Sequence, residues 1–281
     1  LRLWRLRRTV IDIETLLNTH PNMVALTGAG ISAASGIPTY RNDAGDWQRS
    51  EPIQHRDFIE KEEARRRYWA RSMAGWPFVA ESKPNRAHHA LARLEQAGHV
   101  GLLATQNVDG LHQRAGHQAV IDLHGRLDQV RCLNCDDRTH RGELQERLSA
   151  LNPAWSLTVT ALRPDGDAEV DDAVVDSMKV PDCQVCGGTL IPDVVFFGGT
   201  VPRERVTATR EALEASDGLL VAGSSLQVYS GYRFCRMAQE LRKPVVIVNR
   251  GKTRADDLAT LKIEEDAGEV LDHLASKALR A

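Results

Sequence analysis

Met23-Val-Ala-Leu-Thr27-Gly28-Ala29-Gly30-Ile-Ser32-Ala33 decides the fold. Five uncharged residues ending at a glycine pair form a buried strand that feeds a tight turn. Gly28-x-Gly30-x-x-Ala33 satisfies the G-x-G-x-x-G/A spacing. Glycines there let the backbone approach a pyrophosphate, and the first N–H groups of the next helix face the anion. Gly28, Ala29, Gly30 and Ser32 are therefore candidate dinucleotide contacts. A plain glycine turn between strand and helix accounts for the same residues, so the pattern needs support from the rest of the chain. A hydride-transferring dehydrogenase would continue with a second strand ending in an acid about 20 residues on. Here the chain runs Ser35-Gly-Ile-Pro-Thr-Tyr-Arg-Asn-Asp43, which is loop-like. Dinucleotide binding survives this test, and ordinary dehydrogenase chemistry does not.

Outward from this turn, further short apolar runs follow at Val100–Thr105, Val120–Leu123, Val194–Phe197, Gly218–Ala222 and Val245–Asn249. Helical patterns separate several of them, at Asp57–Ser72, Arg86–Ala97, Arg203–Ala215 and Tyr232–Leu241, with Asn85 as the cap of the second. Thr9 to Asp12 has capping-box spacing and opens a first helix that His20-Pro21 stops. Strands alternating with helices predict an α/β fold, a Rossmann-like doubly wound and mostly parallel sheet. Residues 131–188 break the rhythm and predict a smaller inserted module that binds zinc. The expected organisation is one domain over 1–281. Its larger part covers about 9–42, 92–130 and 189–275; the smaller comes from a helical insertion, about 43–91, and the zinc module, about 131–188.

Three constellations besides the glycine turn carry chemistry. Thr105-Gln106-Asn107-Val108-Asp109-Gly110-Leu111-His112 lies at the end of a predicted strand, where open α/β sheets bind ligands. Its amides and carboxylate suit ribose hydroxyls, a water or a carboxamide, although a polar strand-to-helix loop has the same composition. Leu123-His124-Gly125 ends another strand, and a histidine can take a proton at neutral pH. Eight others, His20, His55, His88, His89, His99, His117, His140 and His273, are read as ordinary surface or core histidines. Cys132-x-x-Cys135 and Cys183-x-x-Cys186 supply four thiolates that close a tetrahedral zinc site, leaving no position for substrate. The metal is expected to serve folding.

Composition bounds the partners. The 281 residues carry 36 Lys+Arg against 38 Asp+Glu, a net charge of −2, which argues against a dedicated nucleic-acid or anionic-membrane binder. No apolar run approaches the roughly 18 residues that span a bilayer. The stretch Leu1–Arg8 is basic but has no apolar core, so it is expected to be a solvated arm rather than a secretory signal. Four of five cysteines in paired spacing point to metal in a reducing compartment, hence to the cytoplasm. Only seven of the 36 basic residues are Lys, a bias that resembles a GC-rich bacterial genome.

Gly28-Ala-Gly-Ile-Ser-Ala-Ala-Ser-Gly-Ile-Pro-Thr-Tyr-Arg41, Thr105–His112, His124-Gly125, the two Cys pairs, Val194-Val-Phe-Phe-Gly198, Gly223-Ser-Ser225 and Val248-Asn-Arg-Gly251 together resemble the sirtuins in content and order. Arg67-Tyr-Trp-Ala-Arg71 and Gly223-Ser-Ser-Leu-Gln-Val-Tyr-Ser-Gly-Tyr-Arg-Phe234 are similar to the class II branch that holds the mitochondrial sirtuin numbered four and its bacterial relatives. The resemblance implies an NAD-dependent protein-lysine deacylase that consumes NAD and moves the acyl group to ADP-ribose. It implies His124 as general base for a ribose hydroxyl, and Asn107 with Asp109 around the nicotinamide ribose and carboxamide. Gln106 would meet ribose, Arg41 the phosphates. Ile37, Pro38, Tyr40 and Val108 would be further cofactor contacts, with Tyr40 beside the nicotinamide site. Gly223, Ser224, Ser225, Asn249, Arg250, Gly251 and Ala267 would line the adenosine side. Val195 and Phe197 would flank the acyl-lysine channel, with Gly198 offering backbone to the peptide.

Tyr68 and Arg71, three apart in a helical segment, share a face, and a carboxyl-terminated acyl chain could reach them; the bland alternative is that Arg71 is one more solvated charge. Tyr40 stands where many sirtuins have Phe, Gly199 replaces a common acid, and the linker between the Cys pairs is long. Two alternatives stay open: a protein mono-ADP-ribosyltransferase, and a non-catalytic NAD-sensing module. The oligomeric state has no signal in the sequence.

Overall fold

The computed structural model describes residues 13, 15, 17–40, 52–153, 166–168 and 170–278. Six strands form one parallel sheet: β1 (Met23–Thr27), β2 (Val100–Thr105), β3 (Val120–Asp122), and later β7 (Gly218–Ala222), β8 (Val245–Val248) and β9 (Leu261–Ile263). Their order is β3-β2-β1-β7-β8-β9, with every neighbouring pair parallel. The direction of winding reverses between β1 and β7, and ligands bind at the carboxyl ends of strands at such a point.

The strands read as apolar runs because both faces are covered. Successive residues of β1 point to opposite sides. Met23 and Ala25 pack with the helices Arg86–Gln96 and Ala267–Ala278, and Ile13 and Leu17 join them. Val24 and Leu26 pack with the helices Arg203–Ala215 and Tyr229–Glu240 through Leu213, Phe234, Cys235 and Ala238. Cys235 is fully buried, and burial pushes its thiol up to about 12. Asn85 caps its helix as expected: its side chain accepts from Ala87 N–H, and His88 completes a capping box.

A second sheet, antiparallel, has the order β5-β4-β6, from β4 (Gly125–Cys132), β5 (Arg138–His140) and β6 (Leu190–Val194). It packs with the helices His55–Glu60, Glu62–Glu81 and Arg141–Leu151 around Phe58, Trp69, Leu144 and Leu148. The apolar run at Val194–Phe197 is therefore not a strand of the parallel sheet. The strand ends at Val194, Val195 N–H bonds the carbonyl of His124, and Phe196 turns into the aromatic cluster of Phe58 and Tyr68. Apolar content alone cannot separate these outcomes.

The helix read as Asp57–Ser72 is two, broken at Lys61, and the second runs on to Glu81 through Pro77. Proline removes the N–H that would bond the carbonyl of Met73; Gln145 Nε2 donates to that oxygen instead, at 2.9 Å. Arg141 is fully buried over the rings of Trp69 and Trp76, and burial lowers its pKa to about 10. Thr9 and Asp12 lie outside the described residues.

Candidate active site

Backbone meets backbone closely where the two halves of the parallel sheet join. Gly30 N–H donates to the carbonyl of Gly223 at 2.8 Å, joining the turn after β1 to the turn after β7. A Cβ on Gly30 would fall 2.8 Å from that same oxygen, and one on Gly28 would fall 2.8 Å from Ser224 Oγ. Gly223 itself has φ +59, a conformation that glycine adopts at little cost. These glycines are needed for close backbone approach. The turn they shape ends in the short helix Ala29–Ser32.

The Thr105–His112 segment folds over this turn through side chains that satisfy one another. Ser32, buried, donates to Asp109 Oδ2 at 2.6 Å and accepts from Asn107 Nδ2 at 3.0 Å. Gln106 Nε2 donates to Ser224 Oγ at 2.8 Å, which ties the segment to the β7 side. Burial raises the carboxyl of Asp109, and hydrogen bonds from Ser32 and Leu111 N–H oppose the rise. Beneath lie His112, with Nε2 2.9 Å from Thr27 Oγ1, and His88, with ring centroids 4.8 Å apart. Burial lowers both, His88 to about 3, so this support is neutral at physiological pH.

His124 follows β3 and is held at both ring nitrogens. Nδ1 lies 2.8 Å from the carbonyl of Gln106, and Nε2 lies 2.8 Å from Ser230 Oγ. A carbonyl only accepts, so Nδ1 carries the proton, and the neutral ring keeps its lone pair on Nε2. Burial lowers the pKa below its ordinary 6.5; the bond to Gln106 works against this, and the charges of Arg205 and Arg233 add to it. The ring is thus a neutral base near pH 7.

One cavity of about 1050 Å³ runs past the two glycine turns, Gln106–Asp109 and His124. That volume is at the upper end for small-molecule sites and suits a dinucleotide plus an inserted side chain. Gly28, Ala29, Gly30, Ser32, Ile37 and Tyr40 line it from the first turn, and Gln106, Asn107, Val108, Asp109 and His124 from the strand ends. Gly223, Ser224, Ser225, Asn249, Arg250 and Ala267 line its far side, and Tyr68, Val195, Phe197 and Gly198 its near side. Tyr40 meets Phe197 edge to face, with centroids 5.7 Å apart.

Pro38, Gly251 and Arg71 are not on the wall. Arg71 is half-buried, on the helix of Tyr68, and its carbonyl accepts from Ala168 N–H at 3.0 Å. Arg41 lies outside the described residues. The linker between the Cys pairs does reach the cavity, through buried Asp167; of the linker, residues 154–165 and 169 are outside the described residues. Ser230 and Arg233 also line the wall; both lie in the stretch Gly223–Phe234 that resembles a sirtuin branch, where the sequence assigned neither side chain a role.

The four cysteines converge at the distal end of the smaller sheet. Cys132 Sγ is 3.5 Å from Cys186 Sγ, Cys135 Sγ is 3.8 Å from Cys183 Sγ, and all four sulfurs lie within 4.8 Å of one another. A tetrahedron with zinc–sulfur bonds of about 2.3 Å has edges of about 3.8 Å, so the donor set fits one ion.

The Sir2 family model matches residues 28–230. A Bordetella bronchiseptica NAD-dependent protein deacetylase is 52% identical over 268 residues, 94% of this chain and 98% of that protein. A cattle NAD-dependent protein lipoamidase, mitochondrial sirtuin-4, is 48% identical over 93% of this chain and 84% of that one. The solved complex of Sir2 with a p53 peptide and NAD+ superposes with a TM-score of 0.74 at 29% identity, covering 96% of this chain and 98% of that one. The glycine turn, the Thr105–His112 segment and His124 all fall inside the matched span, and the chain belongs to the Sir2 family, the sirtuins.

Proposed function

We propose that the protein is an NAD-dependent protein-lysine deacylase that transfers the acyl group of acyl-lysine to ADP-ribose and releases nicotinamide. The observation that carries the reading is His124, a neutral imidazole with its lone pair on Nε2, on the wall of the cavity that begins at the glycine turn. The turn of Gly28–Ser32 and its helix N-terminus hold the pyrophosphate by close backbone approach. Asn107 and Asp109, fixed by Ser32, hold the nicotinamide ribose and carboxamide, and Gln106 the ribose. Gly223–Ser225, Asn249, Arg250, Gly251 and Ala267 receive the adenosine, Arg41 the phosphates, and Pro38 is a further cofactor contact. His124 Nε2 then takes the proton from a ribose hydroxyl, whose oxygen attacks the activated acyl carbon. Val195 and Phe197 flank the acyl-lysine and keep water from it, while Gly198 pairs with the peptide backbone. Cys132, Cys135, Cys183 and Cys186 hold a zinc ion that supplies structure, since all four of its positions are filled.

The larger and smaller parts act as one catalytic domain with substrates between them. The reading places the protein in the bacterial cytoplasm, where four thiols stay reduced for metal, with acylated protein lysines as partners.

Tyr68 and Arg71 are assigned to the far end of the acyl chain, Tyr68 from the wall itself and Arg71 from the next turn of its helix. Acetyl, butyryl and glutaryl versions of one peptide, with wild type and Arg71→Leu, test this. Deacylation of any of them with NAD supports the reading. An unchanged glutaryl-to-butyryl ratio of kcat/KM in Arg71→Leu removes that residue from it.

A further inference from the structure

Ser230 is the second residue of the helix Tyr229–Glu240, whose N-cap is Val228 and which has no side-chain cap bond. Its hydroxyl points instead at His124, 2.8 Å from Nε2, across 106 residues of sequence. A second feature shows that the contact is built into the fold. The next residue is Gly231, and a Cβ there would fall 2.6 Å from Gln106 Oε1. Only with glycine at 231 does the helix start press this closely on Gln106, whose carbonyl holds the other ring nitrogen of His124. The helix start thus lies against the side chain of the residue whose backbone carbonyl holds Nδ1, and it brings Ser230 to Nε2. The charged groups that bear on the ring are Arg205, from the helix Arg203–Ala215, and Arg233, one turn on from Ser230; both disfavour an imidazolium.

We propose, on the footing of the deacylase reading, that Ser230 is a positioning residue for the base: its hydroxyl and the Gln106 carbonyl together fix one orientation and one tautomer of His124. The lone pair on Nε2 is then in place before the ribose hydroxyl arrives. A hydroxyl both donates and accepts, so rotation about Cβ–Oγ yields the lone pair to the substrate. In the transfer the ribose O–H bond breaks with its electron pair kept on oxygen, and the Nε2 lone pair forms the new N–H bond. Ser230 keeps its own proton and accepts from Nε2–H afterwards.

The test is a double-mutant cycle with Ser230→Ala and Ser230→Thr, each in wild type and in His124→Ala. One net hydrogen bond is worth about two- to ten-fold in rate, so Ser230→Ala should lower kcat by that factor. KM for NAD and for peptide, and Tm, should stay near wild type, and Ser230→Thr should recover most of kcat. In His124→Ala, Ser230→Ala should change the residual rate by less than about two-fold, because the group it acts through is gone. Ser230→Ala equal to wild type, or slowing both backgrounds by the same factor, overturns this role alone. A wild type inert on every acyl-peptide overturns the deacylase reading and this role with it.

Discussion

A base serves at neutral pH only if it is mostly unprotonated there, and the surroundings of His124 favour that. Burial lowers its pKa, the Gln106 carbonyl pulls partly back, and Arg205 and Arg233 push down again. The kcat/KM of the free enzyme should therefore hold through pH 7 and fall on the acid side with a midpoint below 6.5; a midpoint above 6.5 would count against His124 as the base. His124→Ala should bind NAD nearly as wild type in calorimetry and deacylate about 10²–10⁴-fold more slowly, the usual cost of a lost general base. Deacylation within a few-fold of wild type would remove it from the role. His124 was legible in the sequence because it ends a strand beside a glycine. Ser230 was not, since its partner lies 106 residues away and nothing local marks it. His88 looked like any core histidine until Ser32 and His112 were seen beside it.

At the scale of elements, the turn out of β3 is the most constrained. Gly125 has φ +82, and a Cβ there would fall 2.0 Å from the carbonyl oxygen of Asp193 on β6. Gly125→Ala should cost more than the roughly 1–2 kcal/mol of a left-handed residue, because backbone must also move. Urea denaturation measures it, and a midpoint equal to wild type would contradict the packing. The zinc site makes a parallel prediction. Cys183→Ser should lose metal by elemental analysis and lower Tm first, with activity falling only as folded protein is lost. A metal-free protein that stays folded and fully active would sink the structural role.

Periodicity revealed β1, β2, β7 and the helix Arg203–Ala215, where apolar runs are long and bounded by turn residues. It misplaced Val194–Phe197, where four apolar residues serve three destinations: a strand end, a channel wall and an aromatic cluster. The helix Glu62–Glu81 runs nine residues beyond the Ser72 expected from the sequence, through Pro77, and the rescue of the Met73 carbonyl by Gln145 is invisible locally.

For the molecule as a whole, the doubly wound parallel class followed from the strand and helix alternation, while the order of the strands came only with the structure. The second sheet did not, because β4 is largely polar, β5 has three residues with none apolar, and β6 lies far along the chain from both. The buried histidines under the site carry a consequence for stability. His88 is pushed from 6.5 to about 3 by burial. Its depressed pKa means the unfolded chain binds the proton first, so its contribution is whole above pH 6.5 and is lost as pH falls from there toward 3. Between pH 6.5 and 5 this amounts to about 1 kcal/mol per pH unit, and His88→Gln should flatten the fall in unfolding free energy by that slope. Equal slopes would show that His88 does not titrate on unfolding.

The most direct measurement of the central claim is a mass balance. Protein, NAD and one acetyl-lysine peptide are incubated, and nicotinamide, peptide and ADP-ribose products are quantified together by mass spectrometry. The account predicts one free-lysine peptide and one acetyl-ADP-ribose for each nicotinamide released. Nicotinamide release with the peptide still acetylated and ADP-ribose attached to protein would contradict it.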